Sequence, residues 1–276
     1  MTPEPTIDVE AFKKFEREGY SSVAQGYDRA TAAVTSQVNQ AVLDAVAAGP
    51  GVSLLDIACG PGWLSAAASQ RGALVSALDF AENMVLLARS RCPEADVRNA
   101  DAESLPFESG RFDAVVCSFG ILHLPNPEQA VAEAHRVLRP GGRYAFTCWL
   151  PPARNPFFGL ILGSIQRHGS MNVNLPAGPP LFRFGDSAEC ESVLTAAGFV
   201  SVSVTDLPIL WPFAKPEEVV PAVLASTARV GPMLAMQTPA QRHDIENAIK
   251  EGAKRYATPR GVEIPAPALL AVGRKP

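Results

Sequence analysis

A chain of 276 residues that is 47% hydrophobic and 19% charged has an ordinary globular balance, enough to bury a sizeable core in one large or two small domains. Its net charge of −4 gives no electrostatic footprint for nucleic acid or an anionic membrane. No run of about 18 apolar residues is available to span a bilayer, so no membrane span is expected.

The acidic, proline-bearing start Met1-Thr2-Pro3-Glu4-Pro5 lacks the basic-then-apolar pattern of a signal peptide, which makes a cytoplasmic location the expectation. The first helix that periodicity predicts covers residues 34 to 46, with Val34, Val38, Val42, Ala45 and Val46 on one face and Gly49-Pro50-Gly51 as its stop. Strand-like runs follow at 53 to 57, 73 to 79, 95 to 99, 112 to 118 and 142 to 149. Helical stretches lie between them: Trp63 to Arg71 is one, and 127 to 138 is the clearest, with Asn126 as cap and Pro127 in its first position. Such alternation implies a parallel sheet covered by helices on both faces.

Sixteen of the 25 prolines lie beyond residue 150, which predicts turns, bends and short helices there. Residues 187 to 197 still read as a helix closed by Gly198, 199 to 205 alternate as a strand, and Leu269 to Val272 read as a last strand at the sheet's edge or centre. The organisation read from this is an N-terminal helical segment (1–50), a core (51–149) and a final part (150–276). That final part completes the sheet at about 187–206 and 268–273 and carries insertions at about 150–186 and 207–262. The five cysteines, an odd number without C-x-x-C spacing, indicate neither a disulfide framework nor a metal site.

The chemistry concentrates after the first strand, in Leu54-Leu55-Asp56-Ile57-Ala58-Cys59-Gly60-Pro61-Gly62, with Asp79 ending the next strand. Small residues there let a ligand approach the backbone, the following helix offers unpaired N–H groups, and a carboxylate ending the second strand suits two ribose hydroxyls. A pyrophosphate on the helix N-terminus needs G-x-G-x-x-G, which is absent, so a nicotinamide-dependent oxidoreductase is disfavoured. Asp56 would repel a pyrophosphate but hold an amino group.

These residues resemble the first motif of the class I S-adenosylmethionine-dependent methyltransferases, an acid followed by alternating small residues. Ala58 stands where glycine is commonest, tolerable if its φ is negative. Ala77-Leu78-Asp79-Phe80 with Asn83-Met84 resembles the second motif, Asn99-Ala100-Asp101-Ala102-Glu103 through Phe107 the third, Phe112 through Ser118 the fourth strand, and Val137 through Arg143 the turn into the fifth. The branch it is most similar to contains quinone C-methyltransferases and many natural-product methyltransferases.

The resemblance implies a Rossmann-like, doubly wound, mostly parallel α/β sheet with an antiparallel closing strand and cap insertions. It also implies S-adenosyl-L-methionine as cofactor, with S-adenosyl-L-homocysteine as product. The cofactor residues it implies are Tyr27, from a helix folding over the methionine end, Asp56, Ala58, Gly60 and Gly62, Asp79 on the ribose, Phe80 and Met84 against the adenine, Asp101 on its amino group, Ala102 and Ser118. The expected reaction is methyl transfer to a small, largely apolar or aromatic acceptor, on oxygen or carbon. The alternative is a cofactor-binding protein of this fold with a non-methylating biosynthetic role. Nucleic-acid amino-methylation is disfavoured, because Ser118-Phe119-Gly120-Ile121 stands where those enzymes carry D/N-P-P-Y/F/W.

His123, just past the fourth strand, is the base candidate, with shaping of the pocket as its competing role. Trp149, Phe157, Phe158, Phe182, Phe184, Trp211, Phe213, Met171, Met233 and Met236 suit an apolar acceptor pocket or the packing of a cap. The sequence does not specify an oligomeric state.

Overall fold

The computed structural model describes residues 7–276, so the acidic start lies outside the described residues. Strands β1 (Ser53–Ile57), β2 (Leu74–Asp79), β3 (Asp96–Asn99), β4 (Phe112–Ser118), β5 (Leu138–Trp149), β6 (Val200–Leu207) and β10 (Ala268–Arg274) form one sheet in the order β3-β2-β1-β4-β5-β10-β6. All pairings are parallel except those of β10, which runs antiparallel to both β5 and β6. The final apolar run therefore lies inside the sheet, and Leu269 and Ala271 are fully buried there.

Right-handed crossovers place α4 (Trp63–Gln70) and α5 (Glu82–Arg91) on one face of the sheet and α6 (Pro127–Val137) on the other. Because both faces are covered, β1 and β4 read as continuous apolar runs and not as alternating ones. The strand order reverses between β1 and β4, which opens a crevice at their carboxyl ends.

Two expectations are corrected. The single helix over 34 to 46 is broken: α1 (Val9–Ala30) is followed by α2 (Ala32–Thr35), a 3₁₀ turn at Ser36–Val38 and α3 (Asn39–Ala45). Val34, Val38 and Val42 are still buried, so the apolar stripe is met by bending the chain over the core and not by a straight helix. The proline-rich part is also more regular than expected, with α7 (Pro156–His168), α8 (Ser187–Ala196), α9 (Val219–Ser226), α10 (Val230–Ala235) and α11 (Pro239–Ala253). A small sheet joins β7 (Leu210–Phe213), β9 (Gly261–Pro265) and β8 (Ala257–Thr258). Pro156 and Pro239 open helices and do not interrupt them: Asn155 caps α7, and Thr238 with Gln241 forms a capping box on α11. A first-turn N–H has no helical partner to lose, so proline fits there without cost.

Helix α1 crosses the mouth of the crevice. Its approach to α9 depends on Gly26, where an added Cβ would lie 1.9 Å from the Ala225 carbonyl oxygen. Polar contacts tie down both ends. Lys13 reaches Asp101 and Glu103 at 2.7 Å each, while Asp28 accepts from Trp63 Nε1 at 2.7 Å and from Arg91 at 3.0 Å.

Candidate active site

The crevice is a cleft lined by residues from the ends of β1, β2 and β4 and from α1. Tyr27, Ala58, Gly60, Asp79, Phe80, Met84, Asp101, Ala102, Ser118 and His123 all line it. Asp79 sits at its floor, where one carboxylate oxygen accepts from the Gly60 N–H at 2.8 Å and the other from the Ala81 N–H at 2.9 Å. Burial raises its pKa to about 6 against the pull of those donors. Asp101 accepts from Lys13 and from the Glu103 N–H at 2.9 Å, yet a carboxylate has about four acceptor sites and keeps capacity for another donor.

Asp56 and Gly62 stand outside this lining. The Asp56 side chain is buried beneath α4 and accepts from the Ser65 hydroxyl at 2.7 Å, with burial raising its pKa to about 7. Gly62 caps α4 at φ 84, and a Cβ there would come within 2.9 Å of the Ala88 backbone, so its lack of a side chain lets α4 pack against α5. Neither side chain reaches the cleft surface, so any part they have in holding a ligand is through the loop they shape.

Ala58 has φ 54, in the left-handed region, where the expectation asked for a negative value. A left-handed alanine costs roughly 1–2 kcal/mol. Ala58→Gly is therefore expected to raise unfolding stability by about 1 kcal/mol in urea titrations, after allowance for the greater freedom of an unfolded glycine. An unchanged or lower midpoint would mean that the loop holds no strain.

A second cavity shares the wall residues Tyr20, Tyr27, Phe119 and His123 with the cleft. Of the aromatic set expected to form an apolar pocket, Trp149, Phe157, Phe158 and Trp211 line it. Phe182 packs behind Phe158, Phe184 and Phe213 sit in the core, Met233 lies against the core, and Met171 and Met236 are exposed. The cavity joins the end of β5, α7, β7 and the segment from α9 into α10, so each insertion supplies one side.

Between the two cavities runs a chain of polar groups. Glu16 is fully buried, with Arg229 3.6 Å from its Oε1 and His123 Nδ1 3.0 Å from its Oε2. The tautomer of a neutral imidazole that donates from Nδ1 to the Glu16 carboxylate leaves Nε2, 2.8 Å from the Tyr20 hydroxyl, to accept from it. Burial, and next the Glu16 charge, push the Tyr20 phenol well above its usual pKa, so it holds its proton at neutral pH. His123 therefore has both ring nitrogens engaged by α1 and meets either cavity with the ring itself. Glu16, Tyr20, Phe119 and Arg229 escaped the sequence reading. The one available signal is the helical spacing of Glu16, Tyr20 and Tyr27, which puts an acid and two phenols on one face of α1.

Among the described residues, no helix is long and apolar enough to cross a membrane. Residues 55–146 match a family described as methyltransferase domain. Demethylmenaquinone methyltransferase from Renibacterium salmoninarum is 39% identical over 123 residues, 45% of this chain, which spans about half (52%) of that relative. Demethylmenaquinone methyltransferase from Clavibacter sepedonicus is 31% identical over 210 residues, covering 68% of this chain and 83% of the relative. Among solved structures, phosphoethanolamine N-methyltransferase 2 of Haemonchus contortus in complex with S-adenosyl-L-methionine superimposes with a TM-score of 0.53 at 20% identity, over 87% of this chain and 52% of that one. At that identity the likeness is one of fold.

Proposed function

The chain belongs to the class I S-adenosylmethionine-dependent methyltransferases, and from that premise we propose that it transfers a methyl group to a small, largely apolar or aromatic acceptor seated in the second cavity. The observation that carries this reading is the shared wall: the cleft at the carboxyl ends of the strands and an aromatic-lined cavity meet at Tyr20, Tyr27, Phe119 and His123. The residues of the cleft suit the cofactor. Asp79 would take the ribose hydroxyls, Phe80, Met84 and Leu124 give the adenine an apolar slot, and Asp101 would accept from its amino group. Above Gly60, an added Cβ would meet nothing within 4 Å, which leaves room for the amino-acid portion.

When bound, the cofactor supplies a methyl group already activated on a sulfonium. The protein's own part is alignment and exclusion of water, and positioning alone can lower a barrier by roughly 7–11 kcal/mol. Helix α1 roofs the shared wall, where Trp149 stacks on Phe119. For an oxygen acceptor that must lose a proton, the Tyr20 oxygen can receive it while the Tyr20 proton passes to His123 Nε2, and Glu16 stabilises the resulting imidazolium. Oxygen and carbon are the favoured sites of methylation, and a quinol or phenol is the class that suits both the cavity and this relay.

Calorimetry should give micromolar affinity for S-adenosyl-L-methionine and its demethylated product, near roughly −8 kcal/mol. Incubation with the tritiated-methyl cofactor should label phenols or quinols. Absence of heat with either cofactor form on folded protein removes the reading, and binding without labelling of any acceptor favours a non-methylating role.

A further inference from the structure

A groove between α7 and α11 lies apart from the cleft and the aromatic cavity and shares no lining residue with either. Leu160, Ser164 and Arg167 line it at i, i+4 and i+7 of α7. Glu251, Gly252 and Arg255 line it from α11 and the 3₁₀ turn that follows. Its three arginines, Arg154, Arg167 and Arg255, face a single acid, and that acid, Glu251, is already taken by Lys254 at 2.6 Å. On a chain of net charge −4 this is a local excess of positive charge. The other bases nearby are paired: Arg154 with Asp206, Arg242 with Glu246 at 2.8 Å and Lys250 with Glu217 at 2.9 Å. Arg167 and Arg255 have neither an ion pair nor a side-chain hydrogen bond among the described residues.

The way the two helices pack brings these arginines to bear on one place. Gly252 lies against Leu160 and Gly169 against Ile245, so α7 and α11 run antiparallel. Arg167 follows Leu160 by seven residues and Arg255 follows Gly252 by three in the opposite direction, which sets them about 15 Å apart at 1.5 Å per residue. Helix side chains lean toward their own N-terminus, and in antiparallel partners that turns the two arginines toward each other. Five bonds of about 1.5 Å carry each guanidinium roughly 6 Å from its Cα, so the space left between them suits one or two phosphoryl groups. Ser164 lies between them on the α7 wall and is 4% exposed. Its hydroxyl makes no hydrogen bond among the described residues and is not one of the polar atoms that the protein closes off.

We propose that this groove binds the phosphoryl group of a small molecule, with Arg167 and Arg255 gripping the anion from either end and the Ser164 hydroxyl donating to it between them. The planar fork of a guanidinium matches phosphate oxygens in pairs, and such charge-assisted hydrogen bonds are the strong ones. A floor closed by Leu160 on Gly252 favours a small ligand over a macromolecular one, and Pro156 and Tyr256 give its organic part a surface. The site does not depend on the methyl-acceptor reading. It bears on it nonetheless, because the turn of α7 that contributes Pro156 and Leu160 to the groove carries Phe157 and Phe158 into the acceptor cavity. An occupant would rest on the back of a helix that shapes the acceptor site.

Pyrophosphate is the first probe, titrated calorimetrically in metal-free buffer of low salt, with and without saturating S-adenosyl-L-homocysteine. It should bind at one site and equally in both conditions. Arg167→Ala and Arg255→Ala should each weaken it about 10-fold or more, the usual effect of losing a hydrogen bond to a charged group. Arg167→Lys, which keeps the charge and loses the fork, should fall between the parent and Arg167→Ala. Ser164→Ala should cost less, about 3-fold. Arg260→Ala, in the turn between β8 and β9 and paired with Glu263, should change nothing. Arg167 and Arg255 are exposed, so their variants should fold, which melting curves check. Phenyl phosphate binding more tightly than inorganic phosphate identifies an ester as the ligand, and the reverse order identifies the free anion. No heat with pyrophosphate, equal affinity in the parent and both alanine variants, or competition with S-adenosyl-L-homocysteine overturns the site. A hexaglutamate peptide that displaces pyrophosphate at lower concentration overturns the small-molecule assignment in favour of an acidic protein partner.

Discussion

Tyr20→Phe and His123→Ala are each expected to lower kcat for a phenolic acceptor by about 10²–10⁴-fold, while affinity for S-adenosyl-L-methionine stays nearly unchanged. The expectation follows from the connectivity of the site. His123 holds Glu16 through Nδ1 at 3.0 Å and Tyr20 through Nε2 at 2.8 Å, so it reaches an acceptor only through the phenol. Losing either group breaks the same relay, and the double variant should be no slower than the worse single variant, as befits residues that act as a unit. Glu16→Gln should cost less, about 10-fold, because the amide oxygen can still accept from Nδ1 and keep Nε2 as the acceptor, while the charge that stabilises the imidazolium is lost. Unfolding measurements must accompany these assays, since Glu16 is fully buried and the part-exposed Arg229 lies 3.6 Å from it. Two results would sink the relay. One is a loss confined to KM in Tyr20→Phe, which would reduce the pair to shaping the pocket. The other is additive losses in the double variant.

The parts of this site that sequence could reveal are those built from short-range chemistry. The turn after β1, the acid ending β2 and the acid after β3 each follow a strand whose apolar run is visible, so Asp79, Gly60 and Asp101 could be placed at one edge of a sheet before any coordinates were known. What stayed hidden depends on distant pairings. Glu16 meets His123 across 107 residues and Lys13 meets Asp101 across 88, and no local pattern announces either contact. Asp56 shows a partner the turn does not announce: the serine at position 65 lies on α4 and donates to its buried carboxylate. Proline misled for a physical reason as well, because its effect reverses between a helix interior and a first turn, and Pro156 and Pro239 both occupy the favourable place. At Ala58 the residue type argued for ordinary backbone, and the closure of the loop beside Gly120 overrode it, since an added Cβ on Gly120 would lie 2.6 Å from the Ala58 Cβ.

Asp79→Ala is expected to weaken binding of cofactor and product by roughly 1.5–3 kcal/mol, the usual worth of hydrogen bonds to a charged group. The same carboxylate should make the two titrations of this protein run in opposite directions. Burial raises the Asp79 pKa to about 6 and that of Asp56 to about 7, above the unfolded value near 3.9. A group raised on folding stabilises the protein fully below its unfolded pKa and loses that contribution as the pH climbs through its folded one. Thermal stability of the unliganded protein should therefore fall between pH 5 and 8. Cofactor affinity should instead rise through about pH 6, because ribose hydroxyls donate to the ionised carboxylate and a protonated one has given up an acceptor site. In Asp79→Ala the affinity should be weak and flat across that window, while a shallower downward slope of stability persists through Asp56, whose pKa the Asp79 charge no longer helps to raise. Calorimetric titration with S-adenosyl-L-homocysteine at pH 5, 6, 7 and 8, beside melting curves of the unliganded protein, separates the two. Parent affinity that does not change between pH 5 and 8 would show that Asp79 is not the carboxylate facing the ligand, and undiminished affinity in the variant would place the ribose elsewhere in the cleft.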